Sequence, residues 1–216
     1  LKTQKVKDVI ERIGHQNPNL VKPALGPKEP WAYRNKMQMP VGGTRGDIKM
    51  GFYAMGSHDI VQGTNCPIQD DGNNCIAQTC YDIAKELDVE PYDEHTGKGV
   101  LRHVIGRIGQ SGWMVILVTA TDYLPEQEEW VKNITNRIPQ VETIVHNVNS
   151  KRTNVILGPT NHVIYGDGTI TDHIKDLRFN VSPHSFFQVN PEQTTVLYDQ
   201  ALAYADLKGN ETVIDA

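Results

Sequence analysis

Apolar residues recur at helical spacing in four segments of the chain. In each segment, apolar side chains three or four residues apart fall on one face, as in an amphipathic helix. Pro125 opens the third segment, and Glu128 and Glu129 lie in its first turn, where carboxylates favour the positive end of a helix. The predicted helices span residues 1–14, 72–87, 125–138 and 191–205.

Alternating or continuous apolar runs predict the strands. Residues 32–55 have the pattern of a β-hairpin around a turn at 42–47, and residues 99–109 and 113–120 form a second antiparallel pair. Further strands are predicted at residues 141–149, 153–157, 162–165, 177–181 and 212–216. Strand pairs joined by turns and segregated from a few helices are typical of an α+β domain with a largely antiparallel sheet.

The pattern changes after residue 181. A loop, a long helix and the apolar strand 212–216 follow, in the order of the first unit of an open α/β sheet. We therefore expect a central α+β domain over residues 1–181 and the start of a second, Rossmann-like domain over residues 182–216. The glycine-rich loop that normally follows such a strand is missing, so we expect the chain to be a fragment of a longer protein.

The overall charge of the chain does not indicate a nucleic-acid partner. The 21 Lys and Arg residues and 26 Asp and Glu residues give a formal charge of −5, so any surface for a polyanion must be local. No apolar stretch approaches the roughly 18 residues that span a bilayer, and the N-terminal segment is an amphipathic helix pattern rather than a signal peptide. We expect a cytoplasmic protein without a membrane partner.

The chain has three cysteines, Cys66, Cys75 and Cys80. An odd number at unequal spacing argues against a secreted disulfide framework and leaves reduced thiols or a shared metal site. Cys75 and Cys80 fall in the predicted helix 72–87, where their spacing is a weak metal signal, so the simpler interpretation is two ordinary buried thiols.

The segment SFFQVNPEQ, residues 185–193, places two aromatic side chains beside a carboxamide. Such a group can stack on a planar base and hydrogen-bond its edge. The alternative is structural: Phe186 and Phe187 would wedge between domains, and Asn190 would cap the following helix.

Arg34 and Lys36 lie on one face of a predicted strand, where they suit contact with phosphate. Two solvated charges on an outer face are an equally simple interpretation, because Arg45, Lys49, Arg102 and Arg107 could likewise be scattered surface charges.

The remaining polar residues give no hydrolase signature. We expect His58 to pack or cap near the Cys66 loop, and Asp167 and Asp172 to be acids of turns. Neither a Ser–His–Asp arrangement nor a phosphate-binding P-loop is present in the sequence.

Four segments together give the chain a likeness to a known family. They are FFQVNPEQTTVLYDQAL, the closing VIDA, GSHDIVQGTNCPI and YGDGTITD. With these segments the chain resembles, over its full length, the bacterial RNA (uracil-5-)methyltransferases, specifically the branch that modifies 23S ribosomal RNA. The resemblance implies a central domain followed by the first helix and strand of a methyltransferase domain that uses S-adenosylmethionine.

The resemblance also implies roles for individual residues. Gln188 matches a glutamine that contacts S-adenosylmethionine and the target uracil, and Phe186 matches an aromatic that lines the flipped base. Arg34 and Lys36 align with a basic strand that contacts RNA. In the family, a cysteine adds to C6 of uracil so that C5 can attack the methyl group. That cysteine and the base that removes the C5 proton belong to the methyltransferase domain, so we expect no catalytic residue up to Ala216.

Cys66 matches the fourth ligand of the family's [4Fe–4S] cluster, whose other three cysteines lie upstream. With one ligand present, we expect any such cluster to be incomplete in this chain.

The leading hypothesis is that the intact protein methylates C5 of uridine in 23S rRNA and that this chain alone is inactive. Three alternatives remain open at this stage. The chain could be a module that binds and orients RNA without activity of its own, a fragment of a tRNA uridine-5-methyltransferase, or a structural domain without RNA affinity.

Overall fold

The computed structural model describes residues 1–214. Contacts group the chain into two units, residues 29–191 and residues 1–28 with those from 192 onward. This division differs from the predicted boundary at residue 181, because the loop after that residue is hydrogen-bonded within the larger unit. The N–H of Asn35, for example, donates to the carbonyl of Val189 at 2.9 Å. The assignment of residues 182–216 to a second domain stays a prediction.

The helices follow the apolar periodicity closely. In chain order the elements are α1 (Lys2–Arg12), a 3-10 helix (Pro18–Leu20), β1 (Lys36–Thr44), β2 (Asp47–Tyr53), β3 (Ile60–Gln62), α2 (Asp71–Glu86), β4 (Leu101–Ile108), β5 (Trp113–Thr119), α3 (Gln127–Arg137), β6 (Val141–Val148), β7 (Thr160–Tyr165), β8 (Ile170–Ile174), β9 (Leu177–Val181) and α4 (Pro191–Ala205). All four predicted α-helices are confirmed to within two residues at each end. None of the helices in residues 1–214 has the length and apolar character needed to cross a membrane.

Most predicted strands are present, with two additions; one predicted strand is wrong, and another is absent from its described part. The predicted hairpin forms from β1 and β2, where Thr44 pairs with Asp47 across a two-residue turn. Strands β3 and β8 were not predicted. The predicted strand at 153–157 is wrong, because a side chain, rather than a neighbouring strand, hydrogen-bonds to the backbone carbonyls of this segment. The amide of Asn149 donates to the carbonyls of Val155 and Ile156 at 2.6 and 3.0 Å.

The predicted closing strand, 212–216, is absent from its described part. Residues 212–214 adopt no strand, and Val213 and Ile214 are 63% and 85% exposed. A strand needs a neighbouring strand to pair with its backbone groups, and none of the described strands pairs with these residues. Asp215 and Ala216 lie outside the described residues.

The larger unit is built on a seven-stranded sheet in the order β3-β2-β1-β4-β5-β6-β7. Its neighbouring strands are antiparallel, except that β5 and β6 are parallel and connected through α3. Strands β8 and β9 form a separate antiparallel pair. The predicted α+β class with a largely antiparallel sheet is therefore confirmed.

The centre of the sheet is buried on both faces. Alternate residues of a strand point to opposite faces, and on β5 Val115 and Leu117 pack with the α2 and α3 side chains. The next residue in each case, Ile116 or Val118, packs in a second cluster with Ile170 of β8. We call these the helix face and the helix-free face of the sheet. Burial on both faces explains why β5 is a continuous apolar run.

Trp130 of α3 is fully buried in the cluster on the helix face. Its replacement by Ala should lower the free energy of unfolding by about 3–5 kcal/mol, because a large cavity replaces packed ring atoms. Urea denaturation measures this change. Tyr123→Ala, at a side chain that is 69% exposed, is the control and should cost far less. Equal losses in the two variants would contradict the position of α3 on the sheet.

Candidate nucleic-acid interface

Three cations meet on the helix-free face where β1 lies beside β4. Lys36 of β1 is directly opposite Arg107 of β4 in the antiparallel register, so the two side chains share one face. Arg34 precedes β1, and its Nε donates to the carbonyl of Lys36 at 3.0 Å. We call Arg34, Lys36 and Arg107 the basic cluster.

The basic cluster is electrostatically unfavourable in the chain as it stands. Like charges directly opposite each other in a sheet destabilise the pair. Burial, and then the charges of Arg107 and Arg34, lower the pKa of Lys36 to about 8. Burial also lowers the pKa of Arg107. An anion bound here would relieve this repulsion, so the cluster is suited to phosphate.

Asp172 does not neutralise the cluster, although it lines the same small cleft as Lys36 and Arg107. Its carboxylate accepts a hydrogen bond from the backbone N–H of His173 at 2.8 Å, and burial raises its pKa. Among the described residues it forms no ion pair with either cation. The expectation that Asp172 is a turn acid is wrong, because it lies within β8; Asp167 does lie in a turn.

Arg107 connects the cluster to the loop of residues 182–190. Its side chain is only 4% exposed, and Nη2 donates to the carbonyls of Pro183 and Ser185 at 3.1 and 2.6 Å. The loop also closes on itself, because the N–H of Ser182 donates to Oγ of Ser185 at 3.0 Å. A buried guanidinium thus holds the segment that carries the aromatic and carboxamide side chains.

The loop presents its side chains in different ways. Phe187 packs inward against the second apolar cluster, with its ring 5.7 Å from that of Phe179. Phe186 is 87% exposed, so its ring face is available for stacking. Gln188 is half-buried, and its side chain hydrogen-bonds to no other residue in the described part of the chain. Phe187 therefore packs within the larger unit, whereas Phe186 does not pack; a role for either ring between domains stays a prediction.

These groups supply the two parts of a contact with single-stranded nucleic acid. A cation cluster can hold a phosphate, and an exposed aromatic ring can stack on a base. Phe187 lines the same small cleft as Lys36 and Arg107, so the loop and the cluster belong to one site. Its carboxamide neighbour Gln188 offers both a donor and an acceptor to a base edge or a cofactor.

The structure separates this cluster from the other arginines of the region. Arg45 pairs with Asp88 at 2.7 Å near the hairpin turn, and Arg102 donates to the carbonyls of Asn149 and Lys151. Sequence reasoning missed Arg107 because its role depends on the register between β1 and β4, two strands that are far apart in the sequence. The sequence alone showed Arg107 as one of several scattered arginines.

His58 contacts Glu94, with its Nδ1 2.6 Å from Oε2, and its ring packs 5.1 Å from that of Tyr53. Its expected place near the Cys66 loop stays a prediction.

The three cysteines are free thiols in three different settings. Cys66 is half-buried, and its backbone N–H donates to Oδ1 of Asn74 at 3.0 Å. Cys80 is fully buried, and burial raises the pKa of its thiol. Cys75 is exposed on α2, so the interpretation as a buried thiol holds for Cys80 and is wrong for Cys75.

The described residues do not by themselves fit an iron–sulfur cluster. Such a cluster needs several thiolates around one centre, and no group of three or more His, Cys, Asp or Glu side chains that could hold a metal occurs within residues 1–214. The role of Cys66 as one ligand of a cluster stays a prediction.

We expect the charged side chain of Lys36 to lower the free energy of unfolding of the protein. Replacement by Met should raise the free energy of unfolding at pH 7 by on the order of 1 kcal/mol, allowing for the screening of a half-exposed group. The lysine is disfavoured in its charged form only in the folded chain. The gain should therefore shrink as pH rises from about 8 toward 10.5, where the folded wild-type chain releases its proton first.

Urea denaturation at about pH 7 and pH 9.5 measures the effect. Lys132→Met is the matched control, since Lys132 is exposed on α3 and pairs with Glu129. A loss of stability in Lys36→Met, or a gain that does not change with pH, would contradict the electrostatic strain assigned to the cluster.

The full length of the chain is similar to bacterial proteins of a single description, although no family model matches it. A protein of Halalkalibacterium halodurans named as an uncharacterized RNA methyltransferase is 46% identical over 217 residues, which cover 100% of this chain and 47% of that protein. Proteins with the same description from Clostridium acetobutylicum and Listeria innocua are 43% and 42% identical, over 100% of this chain and 48% of their own length. The chain thus spans about half the length of these curated relatives.

The fold is shared with solved structures. The crystal structure of the Pyrococcus abyssi tRNA (uracil-54, C5)-methyltransferase in complex with S-adenosyl-L-homocysteine has a TM-score of 0.67 and 22% identity. The match covers 82% of this chain and 42% of that one. At this identity the likeness establishes the fold alone. The chain is therefore homologous along its whole length to bacterial proteins that carry the name RNA methyltransferase, and it shares its fold with part of a solved methyltransferase.

Proposed function

We propose that the chain is the RNA-binding and substrate-orienting part of a methyltransferase that transfers a methyl group from S-adenosylmethionine to C5 of uridine in 23S rRNA. The observation that carries the proposal is the basic cluster fixed beside the loop of residues 182–190. Full-length similarity to proteins named RNA methyltransferases supports RNA as the ligand.

In this proposal each group has a separate task. The basic cluster holds an RNA phosphate, and the exposed ring of Phe186 stacks on a base drawn out of its helix. Gln188 contacts the polar edge of the target uracil or of the cofactor. S-adenosylmethionine, when bound, supplies the methyl group.

The thiols described here do not suit the catalytic addition to C6 of uracil. That step needs a thiolate, and burial raises the pKa of Cys80, which keeps it protonated in the core. Cys66 and Cys75 are associated with α2. The backbone N–H of Cys66 donates to Asn74 of that helix, and Cys75 is itself a residue of α2. The proposal therefore assigns the nucleophile to a part of the enzyme other than this chain.

A second candidate substrate is transfer RNA. It is favoured by one observation, the shared fold with an enzyme whose title names tRNA uracil-54 as its substrate. Both candidates use the same surface of this chain, so the substrates are separated by experiment.

The double substitution Arg34→Ala with Lys36→Ala should weaken binding of an rRNA transcript roughly tenfold at low salt, because two phosphate contacts are lost. The slope of log affinity against log salt should fall by about 1 to 1.5, at roughly 0.7 per contact with single-stranded RNA. Fluorescence anisotropy at several salt concentrations measures both quantities.

The matched control is Lys85→Ala with Lys132→Ala, which removes the same charge from α2 and α3 on the helix face. It should leave the salt slope nearly unchanged. Equal effects of the two double variants would show that binding depends on net charge alone and would remove the basic cluster from the RNA surface.

The 216-residue chain should bind RNA but transfer no methyl group. Incubation with labelled S-adenosylmethionine and either a 23S rRNA or a tRNA transcript should leave the RNA unlabelled, because the chain lacks a suitable thiolate. A longer protein that includes this chain should label one transcript and thereby choose between the two substrates. Methylation of either transcript by the 216-residue chain would contradict the proposal that the nucleophilic cysteine lies in another part of the enzyme.

A further inference from the structure

A second polar cleft lies on the helix-free face, away from the basic cluster. Its volume is about 400 Å³, within the range of small-ligand sites. One wall is formed by β1, β2 and the connection to β3, and the other by the segment of residues 92–95. The floor is Arg102 and His103 of β4.

The cleft and the basic cluster share one face of the sheet. Lys36 and Gly42 are six residues apart on β1 and therefore point to the same side. The register pairs Gly42 with Lys49 and Pro40 with His103, which brings those side chains to this face as well. Six residues of strand span roughly 20 Å, a distance that a few nucleotides of extended RNA can cover.

The floor of the cleft contains polar atoms without partners. His103 is 7% exposed and Arg102 is 4% exposed. Nδ1 of His103 and Nε of Arg102 are buried and hydrogen-bond to no other described residue. Buried polar groups are normally paired, so these two atoms make the floor of the cleft polar rather than apolar. Burial and the neighbouring Arg102 lower the pKa of His103 to about 4, so its ring is neutral at pH 7.

The rim offers an aromatic ring beside a carboxylate. The hydroxyl of Tyr53 donates to Oε1 of Glu94 at 3.2 Å, while His58 contacts Oε2 at 2.6 Å and its ring lies 5.1 Å from that of Tyr53. Burial alone would raise the pKa of Glu94, but the hydrogen bonds from His58 and Tyr53 outweigh it and keep the pKa below its usual range. Glu94 is therefore an ionised acceptor, fixed in orientation.

We propose that this cleft binds one unpaired nucleotide of the RNA, with an amino-bearing base, several nucleotides away from the site at Phe186 and Gln188. The ring of Tyr53 stacks on the base, and Glu94 accepts a hydrogen bond from its amino group. Lys49, exposed beside Gly42, contacts the phosphate. Uracil is disfavoured because O4, an acceptor that takes the place of the cytosine amino group, would face the carboxylate. The inference rests on the proposed RNA-binding function and deepens it.

The experiment compares two RNA octamers, oligo-U and oligo-U with one central cytosine, by backbone amide NMR and by anisotropy. The cytosine octamer should bind roughly fivefold or more tightly, as expected for a base contact of about 1 kcal/mol or more. Resonances of Gly42, Gly43 and His103 should shift only with the cytosine octamer. Amides of residues 34–36 should shift with both.

Two variants and a control make the result specific. Glu94→Gln should reduce the preference for cytosine to less than about twofold, because an amide can donate to uracil as well. Tyr53→Leu should weaken the cytosine octamer and leave oligo-U unchanged. Glu86→Gln, an exposed glutamate of α2 that pairs with Arg137, should behave as the wild type.

The outcomes separate this inference from the proposed function. Shifts at residues 34–36 with no preference for cytosine and no shift in the cleft overturn the cleft and leave the RNA function standing. No shift at either place overturns the RNA function and the cleft together. Binding of free CMP at His103 without a matching effect of the octamer would assign the cleft to a free nucleotide and overturn its role in RNA binding.

Discussion

The buried guanidinium of Arg107 links the sheet to the loop that carries Phe186 and Gln188. Its Nη2 donates to two carbonyls of that loop, and its position opposite Lys36 concentrates positive charge beside it. One residue therefore fixes the loop and sets the electrostatics of the surface. The arrangement is costly without an anion, and this cost is the main physical reason to regard the surface as a binding site.

The helices determine which surface remains available. Both α2 and α3 cover the helix face, whereas within residues 29–191 Ile170 and Phe187 pack at the centre of the opposite face. On the β1 and β2 side, that face carries Lys36, Gln38 and Lys49 among its alternate positions. A long shallow surface results, with the basic cluster near one end and the polar cleft near the other, and both positions are set by strand register.

The apolar periodicity predicted the helices and the main strand pairs, because these depend on neighbouring residues. It failed where a distant side chain decides the backbone, as at residues 153–157, which Asn149 holds without a partner strand. The short strands β3 and β8 were missed because pairing partners, rather than their own composition, define them. The charge pattern at Arg34 and Lys36 drew attention to the surface proposed here, but the places of Arg107 and His103 beside β1 depend on the register of β4.

The unusual setting of Lys36 has a chemical consequence. With a pKa of about 8, about one molecule in ten carries this side chain as a neutral amine at pH 7, whereas an ordinary lysine is almost wholly protonated. A neutral amine is a nucleophile, so acylating reagents used sparingly near neutrality will modify Lys36 ahead of the solvated lysines. A phosphate bound at the basic cluster would favour the protonated form of Lys36 and suppress that reaction. The extent of acylation at Lys36 would therefore report whether the cluster holds an anion.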